Sequence, residues 1–319
     1  MEPIIGLEIH VSLNTNTKLF CSCPTSGTET PNSRTCDVCV GFPGSKPVMN
    51  RKVLDYALKL CLALNCKIAP QLIFSRKIYF YPDMGKNYQI TQYELPLGSN
   101  GHIKISNKDI SITRVHIEED PAALVHNENT VFIDYNRSGI PLCEIVTEPD
   151  IRSPEEAREF MKTLFTIINY LGIFDINNCI IKADANISIK GNERIEIKNI
   201  NGFKEIEKAI TYEIERQKKL ISEGNPVMNR ETRGWDSEKE ITVFQRSKES
   251  EEDYGYIIDS DLVPIDVTKD FINKTKKELP ELPREKEKRY IDEFKIKKED
   301  AEVIANDYEL SKLYDYFFL

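Results

Sequence analysis

The sequence contains no run of about 18 apolar residues and no excess of basic residues. Its 319 residues include 43 Lys and Arg against 52 Asp and Glu, which gives a formal net charge of −9. The first absence excludes a predicted membrane-spanning helix. The second excludes a basic footprint for nucleic acid spread over the whole chain. Any contact with nucleic acid is therefore expected to be local, or to be made by another chain or segment.

The N-terminus has no basic stretch of the kind that opens a secretory signal, and its second residue, Glu2, is acidic. Both observations argue against a signal peptide. The chain nevertheless carries eight cysteines. Cysteines without a secretory signal indicate a reducing, cytoplasmic setting, where clustered thiols bind metal more often than they pair.

Three common catalytic motifs are also missing from the sequence. It has no Walker A sequence, no G-x-G-x-x-G fingerprint and no G-x-S-x-G nucleophile elbow. A bound phosphate is therefore expected to be held by scattered Lys and Arg residues and a metal ion. Nothing predicts the nucleophile of an amidase or glutaminase.

Four of the cysteines form two close pairs, Cys21-x-Cys23 and Cys36-x-x-Cys39, separated by twelve residues. This spacing can place four thiolates tetrahedrally around zinc, and four thiolates close the coordination sphere. We therefore predict a structural zinc rather than a catalytic one; the alternative is four buried thiols. Cys61, Cys66, Cys143 and Cys179 lack such partners and are expected in the core.

Acidic residues recur on three predicted strands. Glu8 and His10 share one face of the first strand, Glu119 shares the face of the apolar residues before it, and Glu144 lies between Leu142 and Val146. A carboxylate on an apolar face is costly unless it meets a cation. Oxygen ligands with one imidazole suit Mg²⁺ or Mn²⁺. Taken singly, each acid is better explained as a solvated or ion-paired side chain. Because three strands each carry one, a metal site and ion-paired side chains are equally good explanations of the set.

A strictly alternating segment, 183–190, turns at Gly191-Asn192 and returns through residues 194–198, which predicts a hairpin. Its polar face carries Asp184, Asn186 and Ser188, and the return strand adds Lys198. The commoner interpretation is a half-exposed sheet. The alternative is a polar floor that binds ribose and phosphate.

Helices are predicted by apolar spacing and end signals. One begins after Asn50 and ends near Asn65, and a second begins with a capping box at Ser153-Pro154 and ends at Gly172. A third covers about 203–223. Residues 281–319 have a helical pattern without a final capping signal, so we expect the natural protein to continue.

Taken together, these motifs resemble the GatB/GatE family, to which the B subunits of tRNA-dependent amidotransferases belong. The resemblance covers nearly the whole chain in order. The matching motifs are Gly6-Leu7-Glu8-Ile9-His10, Pro31-Asn32-Ser33, Phe42-Pro43-Gly44, Arg76-Lys77, Tyr79-Phe80-Tyr81-Pro82-Asp83, Tyr88-Gln89-Ile90, Glu118-Glu119-Asp120, Asp134-Tyr135-Asn136-Arg137, Glu148-Pro149-Asp150-Ile151-Arg152-Ser153-Pro154, Asp184-Ala185-Asn186-Ile187-Ser188, Lys198-Asn199-Ile200-Asn201 and Glu231-Thr232-Arg233.

The resemblance implies an α+β fold, a cradle with mixed and antiparallel sheet like that of glutamine synthetase and guanido kinases. We expect the catalytic cradle over residues 1–280, with a zinc knuckle at 21–39 stapling an N-terminal loop. Residues 281–319 are expected to begin a C-terminal helical domain, which in the family precedes a tRNA-binding tail.

The implied reaction is ATP-dependent phosphorylation of the side-chain carboxylate of misacylated Glu-tRNA(Gln), Asp-tRNA(Asn) or both, followed by amidation. Ammonia is expected from a partner amidase subunit, GatA, with a small bridging subunit, GatC. The implied cofactors are Mg²⁺ or Mn²⁺ and a structural Zn²⁺, with ATP as substrate. The sequence does not distinguish the two tRNA substrates.

Carried over to this sequence, the family's functional positions fall into three sets. The Mg²⁺ ligands are Glu8, His10, Glu119 and Glu144, with Glu118 for a second ion. The catalytic residues are Glu119 and Lys77. The nucleotide-binding residues are Lys86, Asp184, Asn186, Ser188 and Lys198. One departure is that residues 253–261 lack the family's Arg-aromatic-Pro-Glu-Pro-Asp stretch, so the roles of residues 255–260 are not carried over.

Two other classes of function compete with this one. A zinc-ribbon RNA-binding module would carry interleaved basic and aromatic residues around the cysteines, where only Lys18, Arg34 and Lys46 occur. A free-standing ligase of the glutamine-synthetase type would need its own amino-acid pocket and no partner. Hydrolysis of ATP that depends on misacylated tRNA distinguishes these alternatives.

Overall fold

The computed structural model describes residues 2–106, 108–247 and 254–318. The strands are β1 Pro3–Ser12, β2 Lys67–Ile68, β3 Gln71–Leu72, β4 Ser75–Ile78, β5 Tyr88–Thr91, β6 Gly98–Lys104, β7 Asp109–Glu119, β8 Ala123–Asn127, β9 Thr130–Asp134, β10 Pro141–Thr147, β11 Ile181–Ile189, β12 Ile195–Ile200, β13 Glu231–Asp236, β14 Ile241–Ser247, β15 Gly255–Ile258 and β16 Ile265–Asp266. The helices are α1 Asp37–Val40, α2 Arg51–Ala63, α3 Pro154–Leu171, α4 Phe203–Ser222, α5 Lys269–Lys277, α6 Pro283–Asp292, α7 Lys298–Asn306 and α8 Tyr308–Phe318.

A large sheet organises the fold, with the strand order β14-β13-β12-β11-β1-β10-β7-β6-β2. Among these described strands β12 and β13 pair in parallel, and the other neighbours run antiparallel. Helices α2, α3 and α4 contact the sheet, and α3 contacts both α2 and α4. The predicted mixture of helices with mixed and antiparallel sheet is thereby confirmed, while the likeness to a kinase cradle stays a prediction.

The helix-covered face of the sheet is apolar. On β1 the side chains of Leu7, Ile9 and Val11 are buried, as the alternation predicted. On β7 both Ile112 and Val115 are buried in the same core, although three positions apart. A bulge explains this, because the register with β10 shifts between Val146 and Thr147 and changes which face the later side chains reach.

The predicted helix ends are largely confirmed. Asn50 caps α2 by accepting from the Lys52 amide at 2.9 Å, and Gly172 ends α3 with a φ of 62°. The Ser153 hydroxyl accepts from the Glu156 amide at 3.2 Å, which is one half of the predicted capping box. The Glu156 carboxylate accepts from the Arg152 amide at 2.8 Å.

The hairpin at β11 and β12 is confirmed, whereas the strands β13 and β14 and the helix α5 were not predicted. At the C-terminal end, α6, α7 and α8 enclose a small core of their own around Tyr290, Ala301 and Ala305. The division of the chain at residue 280 stays a prediction. Across the three described ranges, no helix is both long enough and apolar enough to cross a membrane.

Candidate active site and cysteine cluster

The open face of the sheet carries two histidines and two acids, among them Glu144, which the sequence predicted on an apolar strand face. His10 on β1, Glu144 on β10 and His116 on β7 lie side by side across three paired strands. Glu118 follows His116 two positions along β7, so it shares their face. The side chains of Cys143 and Ile145, on either side of Glu144 in the sequence, lie on the other face of the sheet and are buried in the core.

The side chains of His10, Glu118 and Glu144 converge. The Nε2 atom of His10 lies 3.4 Å from Glu118 Oε1 and 3.6 Å from Glu144 Oε2. One ligand atom from each residue can be chosen so that all three lie within 4.8 Å of one another. Two carboxylates and one imidazole are a donor set that fits a hard divalent cation such as Mg²⁺ or Mn²⁺.

Charge dominates the protonation of this group. Burial lowers the pKa of His10, but the hydrogen bond and charge of Glu144, with the charge of Glu118, outweigh burial and raise the pKa to about 10. The pKa of His116 rises to about 9 by the same balance. Burial raises the pKa of Glu144, yet His116 and His10 hold it well below its usual range. Without a bound cation, the two imidazoles therefore neutralise the carboxylates.

His116 was missed as a functional residue by the sequence analysis. Its Nε2 atom lies 3.1 Å from Glu144 Oε2 and 3.7 Å from Glu118 Oε2. Its Nδ1 atom is buried and has no hydrogen-bond partner in the described ranges. The available signal was its position two residues before Glu118, which placed both side chains on one strand face.

Glu119 lies on the opposite face of β7 and does not join this group. Its carboxylate accepts hydrogen bonds from Lys86 and, at 2.9 Å, from the Ile90 amide. Its backbone carbonyl accepts from the Gln89 side chain at 2.8 Å. The buried carboxylate thus meets a cation, as its placement on an apolar face required.

The predicted nucleotide floor lies on β11 and β12, beside β1. Lys198 Nζ donates to Asp184 at 3.0 Å and lies 3.3 Å from Glu196. The left-handed backbone of Asn199, with a φ of 61°, forms a bulge whose amide donates to the same carboxylate at 2.8 Å. Burial lowers the pKa of Lys198, but Asp184 and Glu196 outweigh it and raise the pKa above its usual range.

The floor continues to the first strand through Asn186, whose amide donates to Glu8 at 2.8 Å. Ser188 is half-buried on the same face, opposite Ile4. The structure therefore brings Glu8 to the nucleotide floor rather than into the group of donors around His10.

Lys77 lies on a separate three-stranded sheet, β15-β4-β5. Its Nζ atom is 4.6 Å from the ring centre of Tyr254 and 6.0 Å from that of Tyr79. The adjacent residue, Arg76, forms ion pairs with Asp259 at 2.8 Å and with Asp261 at 3.0 Å. The segment that departs from the family pattern is therefore fixed to β4; of that segment, Asp253 lies outside the described residues.

The four paired cysteines meet in one cluster. One sulfur from each of Cys21, Cys23, Cys36 and Cys39 lies within 4.8 Å of the others, where tetrahedral zinc requires sulfur separations of about 3.8 Å. The hydrogen bond from Cys21 lowers the pKa of Cys39 to about 5, and the charge of Lys18 acts in the same direction. Burial raises the pKa of Cys23 to about 11. The cluster is compatible with zinc, and ligation would hold all four thiols as thiolates.

The cysteine loop is fastened to the turn before β10. The Asn32 backbone amide donates to the Asp134 carboxylate at 2.9 Å, and the Asn32 side chain donates to the Ile133 carbonyl at 3.0 Å and accepts from the Tyr135 amide at 2.7 Å. The buried Asn136 accepts from the Arg34 amide at 2.7 Å and donates to the Thr30 carbonyl at 2.7 Å. Lys18, which is fully buried, donates to the Tyr135 carbonyl at 3.1 Å.

Comparison with known sequences decides the family. The profile described as the GatB/GatE catalytic domain matches residues 3–273. The chain belongs to the GatB/GatE family. It is 48% identical to the B subunit of the aspartyl/glutamyl-tRNA(Asn/Gln) amidotransferase of Saccharolobus solfataricus, over 98% of this chain and 68% of that protein. It is 50% identical to the protein of the same name from Sulfolobus acidocaldarius, over 98% of this chain and 69% of that protein.

A relative with the same name, from Carboxydothermus hydrogenoformans, is 45% identical over 98% of this chain and 69% of its own length. The GatB/GatE match begins at the first residue of β1 and ends within α5, so it includes the group around His10, the cysteine cluster and the nucleotide floor. The predicted family is confirmed.

Proposed function

We propose that this chain is the B subunit of a tRNA-dependent amidotransferase, a glutamine-dependent carbon–nitrogen ligase. It activates the side-chain carboxylate of misacylated Glu-tRNA(Gln), Asp-tRNA(Asn) or both with ATP, and the activated carboxylate is then amidated. The relatives that carry this name share nearly half of the residues across almost the entire chain. The observation that carries the proposal is the convergence of His10, Glu118 and Glu144 beside a polar floor.

His10, Glu118 and Glu144 would hold a divalent cation, and that ion would supply positive charge to a transferring phosphoryl group. The residues of the chain fix where that charge lies. Three strands hold the donors in adjacent register, so little reorganisation is required when the ion binds. His116 lies on the side of Glu144 away from His10 and contacts the carboxylates of both Glu144 and Glu118.

The nucleotide is proposed to lie over β11 and β12. Lys198 is held by two carboxylates and can exchange part of that contact for a phosphate. Asp184, Asn186 and Ser188 offer hydrogen bonds on the same face to ribose hydroxyls. Glu8 accepts a hydrogen bond from Asn186 at the edge of this floor and is proposed as a further carboxylate that would hold the divalent cation.

Glu119 and Lys86 are proposed to serve the acyl group and the incoming ammonia. Lys86 and Glu119 neutralise each other in a largely buried setting. Because Glu119 directly follows Glu118 on β7, a change in the contacts of the pair alters the site that receives the carboxylate. Glu118 is thus proposed as a ligand of the same ion as His10 and Glu144, rather than of the second ion that the resemblance implied, and Lys77 as a cation for the phosphoryl group.

Ammonia is proposed to come from a partner amidase, with a small bridging subunit, because the chain has no nucleophile motif for glutamine hydrolysis. A reactive acyl phosphate needs protection from water, which favours direct delivery between subunits. The proposed setting is the cytoplasm, where thiols stay reduced and the cysteine cluster can hold a structural Zn²⁺.

The test is hydrolysis of ATP by the chain with Mg²⁺ and each misacylated tRNA in turn. Hydrolysis that needs the misacylated form, and not the deacylated form of the same tRNA, is the expected result. Equal hydrolysis with free glutamate or aspartate would instead indicate a free-standing ligase. No hydrolysis, with RNA bound tightly, would favour the RNA-binding module.

A further inference from the structure

The small sheet β15-β4-β5 presents one face to the group around His10. In antiparallel pairs, directly opposed residues share a face. Lys77 opposes Gln89 on β5 and Tyr256 on β15, so the three side chains share a face. Thr91, on the same face, lies 3.4 Å from Glu118 through its hydroxyl. This face therefore borders the carboxylates of the candidate metal site.

Tyr256 lies on this face, and three further tyrosines lie just beyond the ends of these strands: Tyr79 after β4, Tyr93 after β5 and Tyr254 before β15. We call this set the tyrosine wall. The rings of Tyr93 and Tyr256 stack with centres 3.8 Å apart and an angle of 13°, and Tyr93 remains 49% exposed. Tyr79 and Tyr254 meet edge to face at 6.0 Å. A half-exposed aromatic stack beside an ionic centre is a surface suited to a second planar ring.

A cation accompanies the wall, because Lys77 Nζ lies 4.6 Å from the ring centre of Tyr254. Aromatic faces next to Lys are the pattern by which proteins hold unpaired nucleotides, whose bases stack while their phosphates meet the cations. The wall is also local, which agrees with a chain that is acidic overall.

The nucleotide floor and the wall lie on different sides of the candidate metal site. The floor is on β11 and β12, on the far side of β1. The wall is on the other side, where Thr91 and Gln89 of β5 contact Glu118 and Glu119 of β7. ATP assigned to the floor leaves the wall for the second substrate. The amino acid is esterified to the tRNA 3′ end through its α-carboxyl group, so its free side-chain carboxylate reaches Glu118 only if the terminal nucleoside lies close by.

We propose that the tyrosine wall binds the unpaired 3′-terminal nucleotides of the aminoacyl-tRNA by stacking, chiefly on Tyr93 and Tyr256, and so directs the aminoacyl group to the metal site. This inference rests on the proposed function, since it names the surface that holds the substrate there. Tyr93 and Tyr256 are positioning residues: they hold the nucleoside and leave the phosphoryl chemistry to other groups.

The test distinguishes loss of the aromatic ring from loss of the tyrosine hydroxyl. Tyr93→Leu and Tyr256→Leu remove the aromatic face, whereas Tyr93→Phe and Tyr256→Phe keep it and lose only the hydroxyl. Binding of a fluorescein-labelled four-nucleotide RNA with the tRNA 3′ sequence is measured by anisotropy with Mg²⁺ present. Each Leu variant is expected to weaken binding by about 5- to 150-fold, the range for one stacked base, while each Phe variant stays within about 2-fold.

Tyr316→Leu is the matched control, because Tyr316 is 81% exposed on α8. It is expected to leave RNA binding unchanged. Thermal unfolding of every variant separates a lost contact from a lost fold, and the Phe variants still give a result if a Leu variant fails to fold. A wild-type chain that does not bind the fragment, or Leu variants that bind it normally, would overturn the proposal.

Two further measurements, ATP binding and glutamine-driven turnover, would reveal a different occupant of the wall. If the Leu variants weaken ATP binding and leave the RNA fragment unaffected, the adenine of ATP occupies the wall, which contradicts the proposal. If they impair only glutamine-driven turnover with the amidase, a protein partner covers the wall, which contradicts it too. Failure of the proposed function has a different signature: the Leu and Phe pattern persists in RNA binding, but the wild-type chain with ammonium forms no amide.

Discussion

Glu118 and Glu119 are adjacent in sequence and serve opposite faces of β7. Glu118 points to His10, with 3.4 Å between Oε1 and Nε2, whereas Glu119 points to Lys86 and the Ile90 amide. Strand alternation requires this division. The pair therefore links two environments, a cluster of candidate metal donors and a buried ion pair, across the thickness of one strand.

The first prediction concerns Glu119. Glu119→Gln retains an acceptor for the Ile90 amide but loses the charge that faces Lys86, and we expect it to lower tRNA-dependent ATP hydrolysis by at least about 100-fold, or ~2.7 kcal/mol. Glu119→Ala, which removes the whole carboxylate, should abolish turnover. Removing one partner of a buried ion pair also costs about 3–5 kcal/mol of folding free energy, so unfolding must be measured beside the rate.

Lys86→Met combined with Glu119→Gln controls for that effect, because it removes both charges of the buried pair. It should recover stability relative to Glu119→Ala and remain inactive. Turnover at the wild-type rate by a folded Glu119→Gln variant at saturating Mg²⁺ would refute a catalytic role for this carboxylate.

The second prediction concerns protons released on metal binding. The pKa of His10 is raised to about 10, so its imidazole is protonated at neutral pH before the ion binds. A metal ligand must be neutral, and binding is expected to release about one proton per ion at pH 7. Calorimetric titration with Mn²⁺ in buffers of different ionisation enthalpy measures this number, and Glu144→Gln should weaken the binding. Titration without proton release would exclude His10 as a ligand.

The third prediction is the pH dependence of stability in the metal-free chain. The pKa of His10 in the folded chain, about 10, exceeds its ordinary value of 6.5. Its contribution to the free energy of unfolding is therefore fully present below about pH 6.5 and is lost as pH rises through 10. The stability difference between wild type and His10→Gln should shrink across that window. A difference that grows with pH would show that the sign of the interaction is wrong.

The fourth prediction is zinc at the cysteine cluster. Purified chain is expected to contain about one zinc, because four thiolates complete one tetrahedral site. Cys36→Ser should release the metal and lower the thermal midpoint, whereas Cys179→Ser, outside the cluster, should do neither. An intact fold without zinc under reducing conditions would contradict this assignment.

Short-range patterns predicted much of the fold. Alternation placed Leu7, Ile9 and Val11 in the core, and capping residues marked α2 and α3. The strands β13 and β14 were missed, since β13 pairs in parallel with β12 after the intervening helix α4. Such pairing depends on distant contacts rather than on local periodicity.

The candidate site was predictable by residue type and only partly by partner. Paired spacing identified the cysteine cluster, and alternation set the faces of His10, Glu119 and Glu144. Which acids converge depended on the register of three strands that are far apart in sequence, and this register brought Glu118 to His10. The register of β1 with β11 left Glu8 beside Asn186, a contact between residues 178 positions apart.

The most direct measurement of the central claim is amide formation on misacylated tRNA by the isolated chain with ATP and Mg²⁺, comparing ammonium with glutamine as the nitrogen donor. The claim is that this chain activates the carboxylate and depends on a partner for ammonia. It predicts amide from ammonium, none from glutamine, and none from either donor in Glu144→Gln. Amide formed from glutamine by the isolated chain, or unchanged amidation by Glu144→Gln, would contradict it.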